Sequence, residues 1–208
     1  MNFLIIDDHE VVRAGVKNVL TELYKTASIY EAADEKTALH YLKTIPIDLA
    51  VMDVQIPETN TTGLMEFIKN TYPLTRVIIF SMSAESIYAK RFLKAGAMGF
   101  VSKNAGLQEF KKAIELVMQN RKYISENLAQ LLATGIGMKE KDSPFENLSS
   151  REFDIATLLM KGKSISEIAE LLNLNISTVG TYKARLLEKL GVKNMVELIE
   201  LGKVYNIG

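Results

Sequence analysis

Five short apolar runs in the first 120 residues constrain this chain most. They are FLII at 3–6, ASIYEA at 27–32, DLAVMD at 48–53, RVIIF at 76–80 and GFV at 99–101. Several are β-branched and apolar at consecutive positions, which suits strands buried on both faces of a parallel sheet. Between and after them lie helix-period segments at about 10–24, 34–44, 63–71, 84–95 and 106–120. Five successive βα units predict an α/β, doubly wound, five-stranded parallel sheet. In such sheets ligands bind beyond the carboxyl ends of the strands. The residues after each run are therefore the first place to look for chemistry.

The grammar then changes. Residues 122–145 read as a linker, with Gly135, Gly137, a mixed charge run from Lys139 to Asp142, and Pro144. A short helix around Leu128, Leu131 and Leu132 would make it part helical. From 146 to 208 no strand pattern is evident. LSSREFDIATLLMKG predicts a helix with apolar Phe153, Ile155, Leu158 and Leu159, closed by Gly162. SISEIAELLNL is a second, ISTVGTYKARLLEKL a third that Asn175 can cap and Gly191 end, and NMVELIELGKVY a fourth. This predicts a small all-α four-helix domain. The 208 residues thus divide into two modest domains.

Composition excludes some chemistry. The chain has no cysteine, so disulfides, thiolate metal sites and a cysteine nucleophile are out. Its two histidines, His9 and His40, do not make a histidine-rich metal cage. No apolar run reaches the roughly 18 residues of a membrane span. The start MNFLIIDDHE is not a signal peptide. A cytoplasmic protein without a membrane partner is expected. Lysine plus arginine equals aspartate plus glutamate, 25 against 25, so any affinity for nucleic acid must be local.

Asp7 and Asp8 follow the first run, Asp53 the third, Ser81 the fourth and Lys103 the fifth. All five fall on the carboxyl edge of one sheet. Three carboxylates converging there would repel, and a divalent cation, most simply Mg2+, would resolve the repulsion through oxygen ligands. A lysine and a hydroxyl beside a metal and a carboxylate make a site that handles phosphoryl groups, with the carboxylate as nucleophile. A single aspartate after a strand is more often a turn or cap residue. Five such residues in strand order weigh against that explanation.

This constellation resembles the receiver domain of two-component response regulators over residues 1–121. The spacing from Asp53 to Ser81 to Lys103 carries the resemblance, as does AGAMGFVSK with Phe100 three residues before the lysine. The resemblance implies that Asp53 is the phosphoacceptor, served by a sensor histidine kinase. It implies Mg2+ held directly by Asp8, Asp53 and the backbone carbonyl of Gln55, with Asp7 acting largely through water. Lys103 would pair with the phosphoryl group, Ser81 would swing towards it, and Phe100 would rotate inwards. Three features depart from the family pattern. Gly63 stands six positions beyond Pro57, two more than the four usual in the family. Asn104 stands where proline is common, and Phe100 where tyrosine is frequent.

Residues 164–191 read helix, short turn, helix, which is helix-turn-helix grammar. An ordinary helical hairpin has the same pattern, and charge tips the balance. In 173–193, Lys183, Arg185, Lys189 and Lys193 oppose Glu188 alone, while 146–170 carries a net acidic excess. The stretches LSSRE, GKSISEIAELL and STVGTYKARLLEKLGV resemble the LuxR-type (NarL/FixJ) output domain, and TVGTYKARLLEKL with the ending MVELIELGKVYNIG looks closest to the BvgA/EvgA branch. At 100° per residue, Val179, Leu186 and Leu190 share an inward face. Ser177, Thr181, Ala184 and Glu188 share the opposite one, flanked by Gly180 and Arg185. The expected DNA-contacting set is Ser177, Thr178, Gly180, Thr181, Tyr182, Lys183, Ala184, Arg185 and Lys189. Of these, Lys183, Arg185 and Lys189 suit phosphates, and Thr181 and Ala184 suit thymine methyls. Gly180 stands where many relatives carry lysine, which removes a guanine reader.

The function expected is a response regulator in which phosphorylation switches dimerisation and binding of double-stranded DNA, with RNA polymerase as a further contact. The competing reading is a phosphorylation-independent DNA-binding regulator whose receiver is a dimerisation module. A phosphatase using Asp53 would need an acid two residues on, where Gln55 stands, so the chain is not read as an enzyme. His9 as a metal ligand is a weak reading, His40 is read as a surface residue, and the nine methionines are gap-fillers.

Overall fold

The structure is a computed structural model that describes residues 1–133, 143–205 and 207, with backbone alone at 131–133. The mixed charge run and the glycines at 135 and 137 lie outside the described residues, as do the side chains of Leu131 and Leu132. Two compact units are present, residues 1–130 and 131–208.

The first unit alternates strand and helix throughout. The strands are β1 (Asn2–Ile6), β2 (Ser28–Ala32), β3 (Leu49–Met52), β4 (Arg76–Ser81) and β5 (Gly99–Ser102). The helices are α1 (Glu10–Leu23), α2 (Glu35–Thr44), α3 (Thr61–Thr71), α4 (Glu85–Ala95) and α5 (Leu107–Met118). All pairings are parallel, in the order β2-β1-β3-β4-β5. The order reverses beside β1, which opens a crevice between the carboxyl ends of β1 and β3. Strand residues alternate between two buried faces. Phe3, Ile5, Leu49, Val51, Ile78 and Val101 pack with Val16 and Leu20 of α1 and Phe110, Ile114 and Val117 of α5. Leu4, Ile6, Ala50, Met52, Val77, Ile79 and Phe100 are equally buried on the other face. This explains why the strands read as continuous apolar runs rather than as alternating ones.

The longer stretch after Pro57 is resolved in an unexpected way. The sequence pattern places the next helix from 63, whereas α3 begins at Thr61. Asn60 caps it by accepting from Gly63 N at 3.1 Å. Thr61 is buried, and its hydroxyl donates to Val54 O at 2.8 Å. The two surplus residues are thus taken up as helix rather than as added loop. Between Pro57 and Asn60, Glu58 turns the chain with φ at 54°.

The second unit contains a 3-10 turn (Pro144–Asn147) and α7 (Ser150–Met160), α8 (Ile165–Leu171), α9 (Ile176–Leu190) and α10 (Met195–Val204). The linker helix α6 (Glu126–Ala133) precedes them. Ser149 with Glu152 and Ser164 with Glu167 form reciprocal capping boxes at α7 and α8. Asn175 occupies the cap position of α9, but its side chain makes no capping bond. Gly191 ends α9 in the left-handed region at φ 68°. Phe145 is fully buried, edge-on to Phe153 and Tyr205.

Gly202 of α10 is buried, and a Cβ there would meet the Ile207 carbonyl oxygen at 2.9 Å and the Met160 thioether. The thioether can move but the backbone cannot do so cheaply. Gly202→Ala is expected to destabilise the helical unit by about 1–3 kcal/mol. Urea denaturation followed by far-ultraviolet circular dichroism checks this.

Candidate functional site

The strand ladder positions the acidic cluster. Asp7 N donates to Ala32 O at 3.0 Å, Asp53 N to Ile6 O at 2.9 Å and Lys103 N to Ser81 O at 2.9 Å. Each residue continues the pairing one step past its strand. Asp7, Asp53 and Ser81 are all buried. Lys103 reaches both acids, with Nζ 2.6 Å from Asp7 Oδ2 and 2.8 Å from Asp53 Oδ2. Burial alone would lower the lysine pKa. The hydrogen bonds the lysine donates to Asp53 and Asp7 outweigh it and hold the ammonium above its ordinary value. The amine is therefore a fixed positive charge across the working pH range.

The remaining carboxylate oxygens are held from the backbone. Val54 N donates to Asp53 Oδ1 at 2.6 Å, and His9 N to Asp7 Oδ1 at 2.8 Å. Arg13 Nη1 donates to the Asp7 carbonyl at 2.8 Å, a tether that the sequence did not reveal. Asp8 is half-buried, and its Oδ1 is occluded without a well-formed hydrogen bond, although His9 Nδ1 lies 2.9 Å away. Asp7, Asp8, His9 and Asp53 offer ligand atoms that all lie within 4.8 Å of one another. An occluded carboxylate oxygen beside two buried acids fits the oxygen donors a hard divalent cation takes.

Ser81 joins this edge from β4. Its hydroxyl donates to Ser83 Oγ at 3.3 Å, and Ser83 receives a second donor from Gln55 Nε2 at 3.4 Å. Ser83 was not anticipated. It is buried, and it links the loop after β3 to the loop after β4. Phe100 is fully buried on β5, opposite Ile79. The structure thus brings Asp7, Asp53 and Lys103 into direct contact, and sets Asp8 beside them.

In the helical unit, α9 turns Val179, Leu186 and Leu190 inwards as the periodicity required. Ser177, Thr181, Ala184, Arg185 and Glu188 are exposed, and Thr178, Gly180, Tyr182 and Lys183 are half-buried. The Thr181 hydroxyl donates to Ser177 O at 3.0 Å, so it presents a methyl and lone pairs rather than a free donor. A Cβ at Gly180 would meet nothing within 4 Å. Lys189 has a second engagement: its ammonium lies 2.7 Å from Glu152 Oε2. Glu152 is buried at 3% exposure, and the same oxygen accepts from Ser149 N at 2.8 Å. The S-x-x-E spacing at the start of α7 was the available signal for this glutamate.

Burial would raise the Glu152 pKa. Hydrogen bonds from Lys189 and Ser149 overcome that and hold it below the ordinary glutamate value. A depressed folded-state pKa contributes stability above the unfolded-state value of about 4.3. That contribution disappears as pH falls through the folded-state value. The helical unit should lose stability on acidification below about pH 4.3. Glu152→Gln should flatten that acid limb, and at neutral pH cost about 1–3 kcal/mol. Denaturation midpoints between pH 3 and 7 check both effects.

Comparison with known proteins agrees with this geometry. Residues 3–115 match the response regulator receiver domain, and residues 146–201 match the bacterial regulatory proteins of the luxR family. Response regulator UvrY of Escherichia coli (strain K12) is 33% identical over 202 residues, covering 97% of this chain and 93% of the relative. Response regulator GacA of Pseudomonas aeruginosa is 32% identical over 196 residues, covering 94% and 92%. A structure of RcsB from Salmonella enterica serovar Typhimurium, bound to a promoter with the phosphomimetic BeF3−, superposes with a TM-score of 0.79 at 25% identity, covering 97% of each chain. With both domains matched in order along nearly its whole length, the chain belongs to the NarL/FixJ response regulators of two-component systems, transcription regulators that join a receiver to a LuxR-type DNA-binding domain.

Proposed function

We propose that Asp53 is the phosphoacceptor through which this regulator is switched, and that the switch acts on dimerisation and DNA binding. The observation that carries the reading is the double pairing of Lys103 with Asp53 and Asp7 in a buried crevice at the switch point of the sheet. An Asp53 carboxylate oxygen attacks the phosphorus of a phosphohistidine on a sensor kinase. The P–N bond breaks, and the imidazole leaves with the electron pair. Asp8, Asp53 and the Gln55 carbonyl would hold Mg2+ directly and Asp7 through water. The ion would neutralise the oxyanions during transfer. Lys103, already charged and in place, would exchange a carboxylate for a phosphoryl oxygen. Ser81 would exchange Ser83 for another, and Phe100 would shift on β5 with it.

Residues 1–121 then act as the receiver, 122–145 as the linker and 146–208 as the DNA-binding domain. On α9, Ser177, Thr178, Gly180, Thr181, Tyr182, Ala184 and Arg185 line the base-facing side and its flanks. Lys183, Arg185 and the ammonium donors Lys189 leaves free of Glu152 serve phosphates, which position the helix without specifying sequence. The finer placement in the BvgA/EvgA branch rests on the wording of TVGTYKARLLEKL and the ending MVELIELGKVYNIG. RNA polymerase is the further contact such a regulator would make. No described helix is long and apolar enough to cross a membrane, and a cytoplasmic site fits a regulator that binds DNA.

Light scattering with beryllofluoride and magnesium tests the switch. Wild type is expected to move from monomer to dimer, while Asp53→Ala stays unchanged. A wild-type dimer indifferent to both additions would favour the receiver as a constitutive assembly module. A second expectation concerns charge. Lys103→Ala leaves two buried carboxylates facing each other and should destabilise the receiver by about 3–5 kcal/mol without divalent cation. Added Mg2+ should then raise its melting temperature more than it does for wild type, because the lysine no longer neutralises the same acids. Thermal melts with and without Mg2+ read both effects.

A further inference from the structure

The chain does not leave the receiver when α5 ends. Tyr123 pairs with Gly99 as a parallel bridge on the edge of β5, and its N–H donates to Met98 O at 2.8 Å. Its ring is 4% exposed and belongs to the core beneath α1 and α5. Its hydroxyl donates to Glu109 in the first turn of α5. A Cβ at Gly99 would lie 3.2 Å from Tyr123 Cβ, so the segment approaches the strand more closely than most side chains would allow. Two residues on, Ser125 accepts from Leu128 N at 3.1 Å at the start of α6. Ser125 lines the same cleft as Glu85, the first residue of α4. One short segment therefore ties together the ends of α4, β5 and α5. Beneath it is a cleft of about 220 Å³ lined by Phe100, Ser102, Glu85 and Glu109.

Two features make this seat sensitive. Glu85 stands four positions after Ser81, so movement of the β4–α4 loop moves its carboxylate. One Glu85 oxygen is buried without a hydrogen bond, and burial together with the Glu109 charge pushes its pKa up. A buried oxygen without a partner carries a desolvation cost that exposure to water relieves. We infer that residues 123–128 are a strap that reads the receiver state from the α4–β5–α5 end and passes it into the linker. When Ser81 and Phe100 change position, Glu85 moves with α4 and the cleft it shares with Tyr123 and Ser125 opens. Tyr123 then lifts from β5, which frees the start of α6. The inference rests on Asp53 being the phosphoacceptor.

Hydrogen exchange on the full-length protein tests it, with beryllofluoride and magnesium as the probe. The peptide covering 121–130 should lose protection by about tenfold or more in wild type, since its seat opens locally. It should not change in Asp53→Ala. The conservative Tyr123→Phe, alone and with Ser125→Ala, should show that loss before any addition. The same variants should narrow the ratio of DNA affinities with and without beryllofluoride by about fivefold or more, with an unchanged circular dichroism spectrum. If the peptide covering 81–95 responds to beryllofluoride while 121–130 does not, the strap is overturned. If neither responds, the phosphoacceptor reading fails first and the strap with it.

Discussion

One ammonium between two buried carboxylates organises the receiver. Removing a carboxylate from water costs several kcal/mol even after the protein relaxes. Asp7 and Asp53 are both almost fully buried, and Lys103 repays much of that cost by bonding to each. The three residues come from β1, β3 and β5, elements far apart in the chain. The parallel sheet, with this strand order and register, sets their backbones one step beyond carboxyl ends on the same edge. The apolar strands thus supply the geometry in which one lysine can balance two acids. A newly arrived anion or cation must renegotiate that balance.

The same physics recurs in the helical unit, where Glu152 is buried and held by Lys189. In the receiver the trio brings together charges that a ligand can redistribute. In the helical unit the pair joins the start of α7 to the last turn of α9, and Ser149 completes the carboxylate's hydrogen bonding. The first arrangement leaves an occluded Asp8 oxygen beside it, and the second leaves its glutamate well satisfied.

Much of this was legible in the sequence. The five strands and the carboxyl-edge residues follow from consecutive β-branched runs and the acids, hydroxyl and lysine that end them. The inward face of α9 follows from a 3.6-residue period, because Val179, Leu186 and Leu190 have no other way to be buried together. What escaped was set by contacts between distant elements. The early start of α3 depends on Thr61 finding the Val54 carbonyl. The commitment of Lys189 depends on a glutamate 37 residues away. The seat of Tyr123 depends on the bare backbone at Gly99. None of these has a local periodicity to betray it, although the capping-box spacing around Ser149 could have flagged Glu152.

Gly180 lies in the second turn of α9 with open space where a side chain would be. Glycine in a helix interior costs about 1 kcal/mol relative to alanine, and here no packing requires it. Replacement by alanine would therefore strengthen the helix, and a longer side chain would place a new group on the flank of the face proposed to meet DNA. On that proposal, a single codon change at position 180 would alter which sequence is read without a compensating change elsewhere in the domain.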